Sequence, residues 1–168
     1  MKRLILFFAM SCVFTANIQA QEVWKEVKRM SANDAKNNSK DIEIRKMATF
    51  KVDALDYMKQ RYVETLPDSC VADLIYKLDH QAYALYDFVN KFMQQLDRFE
   101  SKKDKQRVID IFKQTSLENC KFFDTDKDVV ESYIQTPGYL TQFSLDTDWE
   151  KAVEDIEKKI KEKAFNFN

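Results

Sequence analysis

Glycine and proline are almost absent from this sequence. Its 168 residues include one glycine, Gly138, and two prolines, Pro67 and Pro137. β-Hairpins need residues that tolerate positive φ at their turns, and doubly wound α/β folds need glycine where each strand turns into a helix. Long runs with helical periodicity fill the chain instead. The composition therefore predicts an all-α fold.

Residues that carry common catalytic or metal-binding chemistry are also scarce. The chain has a single histidine, His80, and no C-x-x-C pair, glycine-rich phosphate loop or zincin motif. Residues 124–128 resemble the opening of a calcium loop, but Val129 stands where the sharp turn requires glycine. We therefore predict no cofactor, no metal site and no catalytic residues, and the sequence leans against an enzyme.

The first twenty residues have the three-part layout of a secretory signal peptide. Lys2 and Arg3 give a basic start, residues 4–14 are almost unbroken apolar, and a small residue, Ala20, closes the segment. Eleven apolar residues are too few to cross a bilayer, which needs about 20. The pattern predicts cleavage after Ala20 and export to the periplasm or out of the cell.

Removal of residues 1–20 changes the size and charge of the chain. It leaves 148 of the 168 residues, which is one domain by length. Lysine plus arginine falls from 27 to 25 against 28 acidic residues, so the net charge moves from −1 to −3. A mildly acidic chain has no concentrated basic face for nucleic acid or for an anionic membrane surface. The expected partner is a protein.

Apolar periodicity predicts a small antiparallel bundle of four to five main helices. Residues 21–39 form a short first helix, to about residue 32, and a polar linker, and residues 40–168 form the bundle domain. The other predicted helices cover about 40–65, 70–99, 106–117 and 147–164, with a short one at 128–135.

The long central helix carries the most regular pattern in the sequence. Its apolar residues follow alternating steps of four and three: Val71, Ile75, Leu78, Ala82, Leu85, Val89, Phe92, Leu96 and Phe99. This spacing is typical of a helix packed along its whole length in a bundle or a coiled coil. No second helix is comparably strict, so a monomeric bundle is favoured over a coiled-coil dimer.

Two cysteines, Cys70 and Cys120, would remain after signal cleavage. Paired thiols are the rule in exported proteins, so we predict a disulfide between them, worth about 4 kcal/mol in the chain-entropy model. Helix lengths set a condition on this bond. The central helix should be about 44 Å long, whereas a fourth helix that runs back along it to Cys120 would cover only about 25 Å. The bond therefore requires the fourth helix to stop near Thr115 or the central helix to be broken.

Two groups of apolar residues are candidates for a binding surface. The segment at 136–145 is non-helical and holds Tyr139, Leu140 and Phe143, in a chain whose other connections are polar. It is either a lid over the bundle core or an exposed patch for a partner. A second candidate is the pair Tyr76 and Tyr83, which are seven residues apart on the central helix and off its main apolar stripe.

These observations predict an exported, non-catalytic binding or accessory module. It would act through protein–protein contacts in the cell envelope or outside the cell. The alternative is a helical bundle that encloses a small apolar ligand between its helices, a common site in this architecture. An enzyme of unknown class comes third, because no motif supports it.

Overall fold

The computed structural model describes residues 22–120 and 143–167, and within these ranges the chain is all-helical. The five helices are α1 (Val23–Lys36), α2 (Ile42–Thr65), α3 (Val71–Asp97), α4 (Lys102–Glu118) and α5 (Trp149–Lys161). The predicted all-α fold and small helical bundle are therefore confirmed. The signal peptide predicted at residues 1–20 and the short helix predicted at 128–135 lie outside the described residues.

Polar residues set several of the helix ends. The Asp41 side chain accepts a hydrogen bond from the backbone N–H of Glu43 at 2.8 Å and caps α2. At α4 the Ser101 hydroxyl accepts from the Asp104 N–H at 3.1 Å. The charged stretch at 100–105, predicted as a connection, therefore contains the first turn of α4.

The first helix is longer than the sequence predicts. It continues to Lys36, through the stretch at 31–36 that was expected to be linker. Ser31 explains the extension, because it is 1% exposed and lies on the same face as the buried residues Trp24 and Val27. The helical period thus continues through a small polar residue that an apolar pattern does not register.

The stripe on α3 is buried over most of its length. Six of the predicted positions lie in the core: Leu78, Ala82, Leu85, Val89, Phe92 and Leu96. Val71 is 72% exposed, so the first turn of α3 extends beyond the core. α3 packs against α1, α2, α4 and α5, which makes it the central helix of the described bundle.

A cluster of seven aromatic side chains fills the centre of the bundle. This aromatic core consists of Phe50, Phe88, Phe92, Phe112, Phe143, Trp149 and Phe165, all fully buried. Phe143 contacts three rings from two helices, with its centroid 5.5 Å from that of Phe50 on α2 and 5.3 Å and 5.1 Å from those of Phe88 and Phe92 on α3. Most of the pairs are edge-to-face, the geometry that aromatic quadrupoles favour.

Phe143 is therefore not an exposed anchor for a partner. Residues 143–147 are all buried, and hydrogen bonds tie them to the end of α4. The Ser144 N–H donates to the Ser116 hydroxyl at 2.9 Å, which lies 2.7 Å from the Thr147 hydroxyl. At this residue the structure agrees with the lid alternative and not with the patch. Tyr139 and Leu140 lie outside the described residues.

The predicted disulfide is not present in the structure. Cys70 is an exposed free thiol before α3, and Cys120 is a half-buried free thiol after α4; the two are not at disulfide distance. α4 runs back along α3, since Phe112 contacts Phe88 and Phe92. Because α3 is about 40 Å long and α4 only about 26 Å, Cys120 stops well short of Cys70. α4 also continues past Thr115 to Glu118, which the bond did not allow.

Candidate functional site

A groove opens on the surface where α1, α3 and α5 meet. Its volume is about 530 Å³, and we call it the tyrosine groove. Nine residues line it: Val23, Tyr76, Asp79, His80, Tyr83, Ala84, Glu150, Val153 and Glu154. The helix α3 supplies the floor, and residues from α1 and α5 form the two walls.

A smaller groove adjoins the first between α1 and α3. Its volume is about 390 Å³, and its lining is Val23, Glu26, Val27, Met30, Tyr83 and Tyr86. Val23 and Tyr83 line both grooves, so the two form one continuous furrow in the surface. We call this second part the methionine groove.

The sequence-predicted pair Tyr76 and Tyr83 lies together in the tyrosine groove. Seven residues make about two helical turns, so both rings stand on one face of α3, about 10 Å apart along its axis. They are 64% and 67% exposed, and Tyr86 continues the row at 38%. Single exposed apolar residues are normal on a protein surface, whereas a contiguous group such as these three tyrosines marks an interaction site.

A buried glutamine fixes the α5 wall of the tyrosine groove. Gln81 is 3% exposed, and its carbonyl oxygen accepts the Trp149 N–H at 2.8 Å at the start of α5. Its amide nitrogen donates to Asp148 Oδ1 at 3.0 Å and to Glu150 Oε2 at 3.2 Å. One α3 side chain thus satisfies a buried N–H in the first turn of α5, which has no partner within the helix, and positions Glu150 at the groove.

An aspartate two residues before Gln81 fixes the α1 wall. Asp79 Oδ1 accepts the Trp24 N–H at 2.9 Å, which caps α1 from α3 and holds Val23 at the groove. Neither Asp79 nor Gln81 was singled out from the sequence, because each acts across a tertiary contact that leaves no local pattern. In the sequence, each is visible only as a polar residue beside the apolar stripe of α3.

The single histidine belongs to the rim of the same groove. His80 Nδ1 lies 3.1 Å from Glu150 Oε1, and its ring centroid is 4.3 Å from that of Tyr76. The side chain is exposed, so it is a surface residue that helps to orient a carboxylate and an aromatic ring. In residues 22–120 and 143–167 no three histidine, cysteine or acidic side chains are grouped to hold a metal ion.

The two grooves differ in charge. The carboxylates of the tyrosine groove are Asp79, Glu150 and Glu154, and no lysine or arginine lines it. In the methionine groove the one lining carboxylate, Glu26, is bound by Arg29 at 2.6 Å, and this hydrogen bond lowers the pKa of Glu26. The furrow is thus acidic at its α5 end and close to neutral at its α1 end.

A partly buried lysine marks the neutral end. Lys51 Nζ lies 5.3 Å from the centroid of the Tyr86 ring, and burial lowers the pKa of this lysine. A cation over the ring of Tyr86 occupies part of the aromatic surface there. The rings left open for another molecule are therefore Tyr76 and Tyr83.

Comparisons with known proteins do not assign this site. No family model matches the chain, and neither the curated proteins nor the solved structures contain a significant match to it. None of the helices in the described ranges is long and apolar enough to cross a membrane. A function has to be derived from the chemistry of the groove itself.

Proposed function

We propose that this protein is an exported, non-catalytic binding module that acts through protein–protein contacts, with the tyrosine groove as its docking surface. The observation that carries the proposal is the exposure of Tyr76 and Tyr83, at 64% and 67%, inside an open furrow. Tyrosine is enriched at the energetic centres of protein interfaces, because its ring packs on apolar groups while its hydroxyl keeps a polar contact.

The walls of the groove support a preformed docking surface. Gln81 and Asp79 hold the first residues of α5 and α1 by hydrogen bonds of 2.8 to 3.2 Å. A surface that is ordered before binding loses little conformational freedom when a partner arrives, which leaves more of the contact energy as affinity. Tyrosine side chains add to this, since only two torsion angles have to be fixed.

Export is part of the proposal and rests on the first twenty residues. The basic start, the apolar run at 4–14 and Ala20 favour passage through the inner membrane and cleavage before Gln21. The partner would then be a protein of the cell envelope or of the surroundings of the cell.

A small apolar ligand is the second candidate. The volume of the tyrosine groove, about 530 Å³, falls within the range of about 300–1,000 Å³ that small-molecule sites occupy. A protein partner is favoured because the two tyrosines are about two-thirds exposed, whereas small-molecule sites bury most of their ligand. Added mass of a few hundred daltons on the purified protein would favour the ligand.

Site-directed photo-crosslinking tests the docking surface. The photoreactive residue p-benzoylphenylalanine replaces Tyr76 or Tyr83 in the full-length chain, which is expressed in its own host and irradiated in intact cells. The matched control places it at Val63, which is 55% exposed on α2 and lines neither groove. We expect one product of defined mass in the envelope fraction from the two tyrosine positions and none from position 63.

Two outcomes contradict the docking surface, and a third contradicts export. If position 63 yields the same products as the tyrosine positions, the groove has no special role. If the groove positions yield no product in any fraction, no stable partner occupies them. A product confined to the cytoplasmic fraction would keep the docking surface and overturn export.

A further inference from the structure

Two lysines that lie within two positions of a residue lining the tyrosine groove form ion pairs with carboxylates outside it. Lys151 adjoins Glu150, but its amine lies 3.4 Å from Asp148 Oδ2. Lys25, on the first turn of α1, pairs instead with Glu22 at 2.5 Å. Both cations are therefore bound to other carboxylates at the helix ends.

The hydrogen-bond partners of these carboxylates are uncharged amides and one imidazole. Asp79 accepts from the backbone N–H of Trp24, and Glu150 accepts from the Gln81 amide and contacts the His80 ring. Glu154 is exposed and makes no ion pair with another described residue. Three negative charges thus lie around two exposed tyrosine rings without an arginine or lysine among the lining residues.

This arrangement suits a cation that is carried on an apolar segment. A lysine or arginine side chain has an aliphatic stem that packs on an aromatic ring and a charged end that reaches nearby carboxylates. Charge complementarity of this kind selects one class of partner by attracting basic segments and repelling acidic ones. The methionine groove, where Arg29 already pairs with Glu26, suits the apolar part of the same segment.

We propose that the occupant of the furrow is a basic, apolar segment of a partner protein. It places one or two lysine or arginine side chains beside Asp79, Glu150 and Glu154, and its aliphatic side chains against Tyr83 and Met30. The distance of about 10 Å between Tyr76 and Tyr83 along α3 matches about two turns of a bound helix. This inference rests on the proposed function, since it assigns the chemistry of the partner to the same docking surface.

Two designed peptides test the charge preference. Both are about 12 residues long with the same helical pattern of leucines; one carries lysine at every polar position, and the other carries glutamate. Binding to the protein purified from its own host is measured by fluorescence anisotropy of a labelled peptide at low salt. We expect the leucine–lysine peptide to bind at least about tenfold more tightly than the leucine–glutamate peptide, and added salt to reduce the difference.

Charge reversal locates the effect in the groove. The substitution Glu154→Lys should weaken binding of the leucine–lysine peptide at least about fivefold, because it places a cation beside Tyr83. The control Glu162→Lys makes the same charge change on an exposed residue just after α5 that lines neither groove, and should change binding less than about twofold. Equal melting temperatures of the two variants would show that both are folded.

The outcomes separate this inference from the proposed function. If both peptides bind equally and the double variant Tyr76→Ala/Tyr83→Ala loses both, the groove is a docking surface and the basic partner is overturned. If neither peptide binds, or if leucine–lysine binding survives the double variant, the basic segment is overturned as well. The crosslinking at Tyr76 and Tyr83 then decides the docking surface independently.

Discussion

The two faces of α3 carry aromatic side chains in opposite surroundings. On the inner face Phe88 and Phe92 are fully buried within the aromatic core, whereas on the outer face Tyr76 and Tyr83 are about two-thirds exposed. The buried rings have no polar atom, so they can be surrounded by other rings at no cost in unsatisfied hydrogen bonds. The exposed rings keep a hydroxyl in contact with water. One helix thus separates the residues that stabilise the fold from those available to a partner.

The largest difference in the free energy of unfolding is expected between truncation of a ring in the aromatic core and truncation of a ring in the tyrosine groove. We expect Phe143→Ala to lower the free energy of unfolding by about 3–5 kcal/mol, because it leaves a cavity among Phe50, Phe88 and Phe92. Tyr83→Ala should change it by less than about 0.5 kcal/mol. Denaturant unfolding followed by circular dichroism measures both. Similar losses in the two variants would break the distinction between core and groove.

The next largest effect is expected at Gln81, whose hydrogen bonds join α3 to the start of α5. The substitution Gln81→Met keeps the side-chain length but leaves the buried Trp149 N–H without its acceptor, which should cost about 1–3 kcal/mol. The control Gln60→Met removes one exposed hydrogen bond to Glu64 and should cost less than about 0.5 kcal/mol. Thermal unfolding compares the two.

Peptide binding gives Gln81→Met a second readout. Loss of the bonds to Asp148 and Glu150 frees the start of α5, so the variant should bind the leucine–lysine peptide more weakly than Gln60→Met at a temperature where both are folded. Unchanged stability and binding in Gln81→Met would show that α5 is positioned by its apolar contacts alone.

The smallest effect concerns the two thiols, because one is exposed and the other is partly buried. Burial raises the pKa of the Cys120 thiol, so a smaller fraction is thiolate at a given pH, while Cys70 is exposed. Without reductant at about pH 8, iodoacetamide should modify Cys70 at least several-fold faster, and the Cys120 rate should rise as the pH is increased. Peptide mass spectrometry follows each site. Failure of both cysteines to react would restore the disulfide and contradict the structure.

Much of the fold could be predicted because the spacing of apolar residues along the chain indicates the helices and their buried faces. Steps of three and four placed Leu78 through Leu96 in the core and made α3 the central helix. The same register placed Tyr76 and Tyr83 off the stripe, where the structure has them exposed. Ser31 shows the limit, since a small polar residue inside the core has no apolar signal, and α1 was therefore predicted too short.

The rest of the site could not be predicted because it depends on contacts between distant segments. Phe143 follows no period in its segment, so the sequence left both a lid and a patch open for it. Gln81 and Asp148 are 67 positions apart, and no local pattern indicates their hydrogen bond. The disulfide was predicted because cysteines of exported proteins usually pair. The structure does not form it, because α4 is too short to bring Cys120 back to Cys70 along α3.

The protein has two natural fluorophores, because its two tryptophans are buried in different parts of the bundle. Trp149 lies in the aromatic core, while Trp24 lies in the first turn of α1, 7% exposed and next to the groove residue Val23, with the Lys59 ammonium 5.0 Å from the centroid of its ring. A chain that keeps Trp149 alone would report melting of the interior by a red shift in its emission. A chain that keeps Trp24 alone would report displacement of α1, so opening of the groove could be timed separately from unfolding.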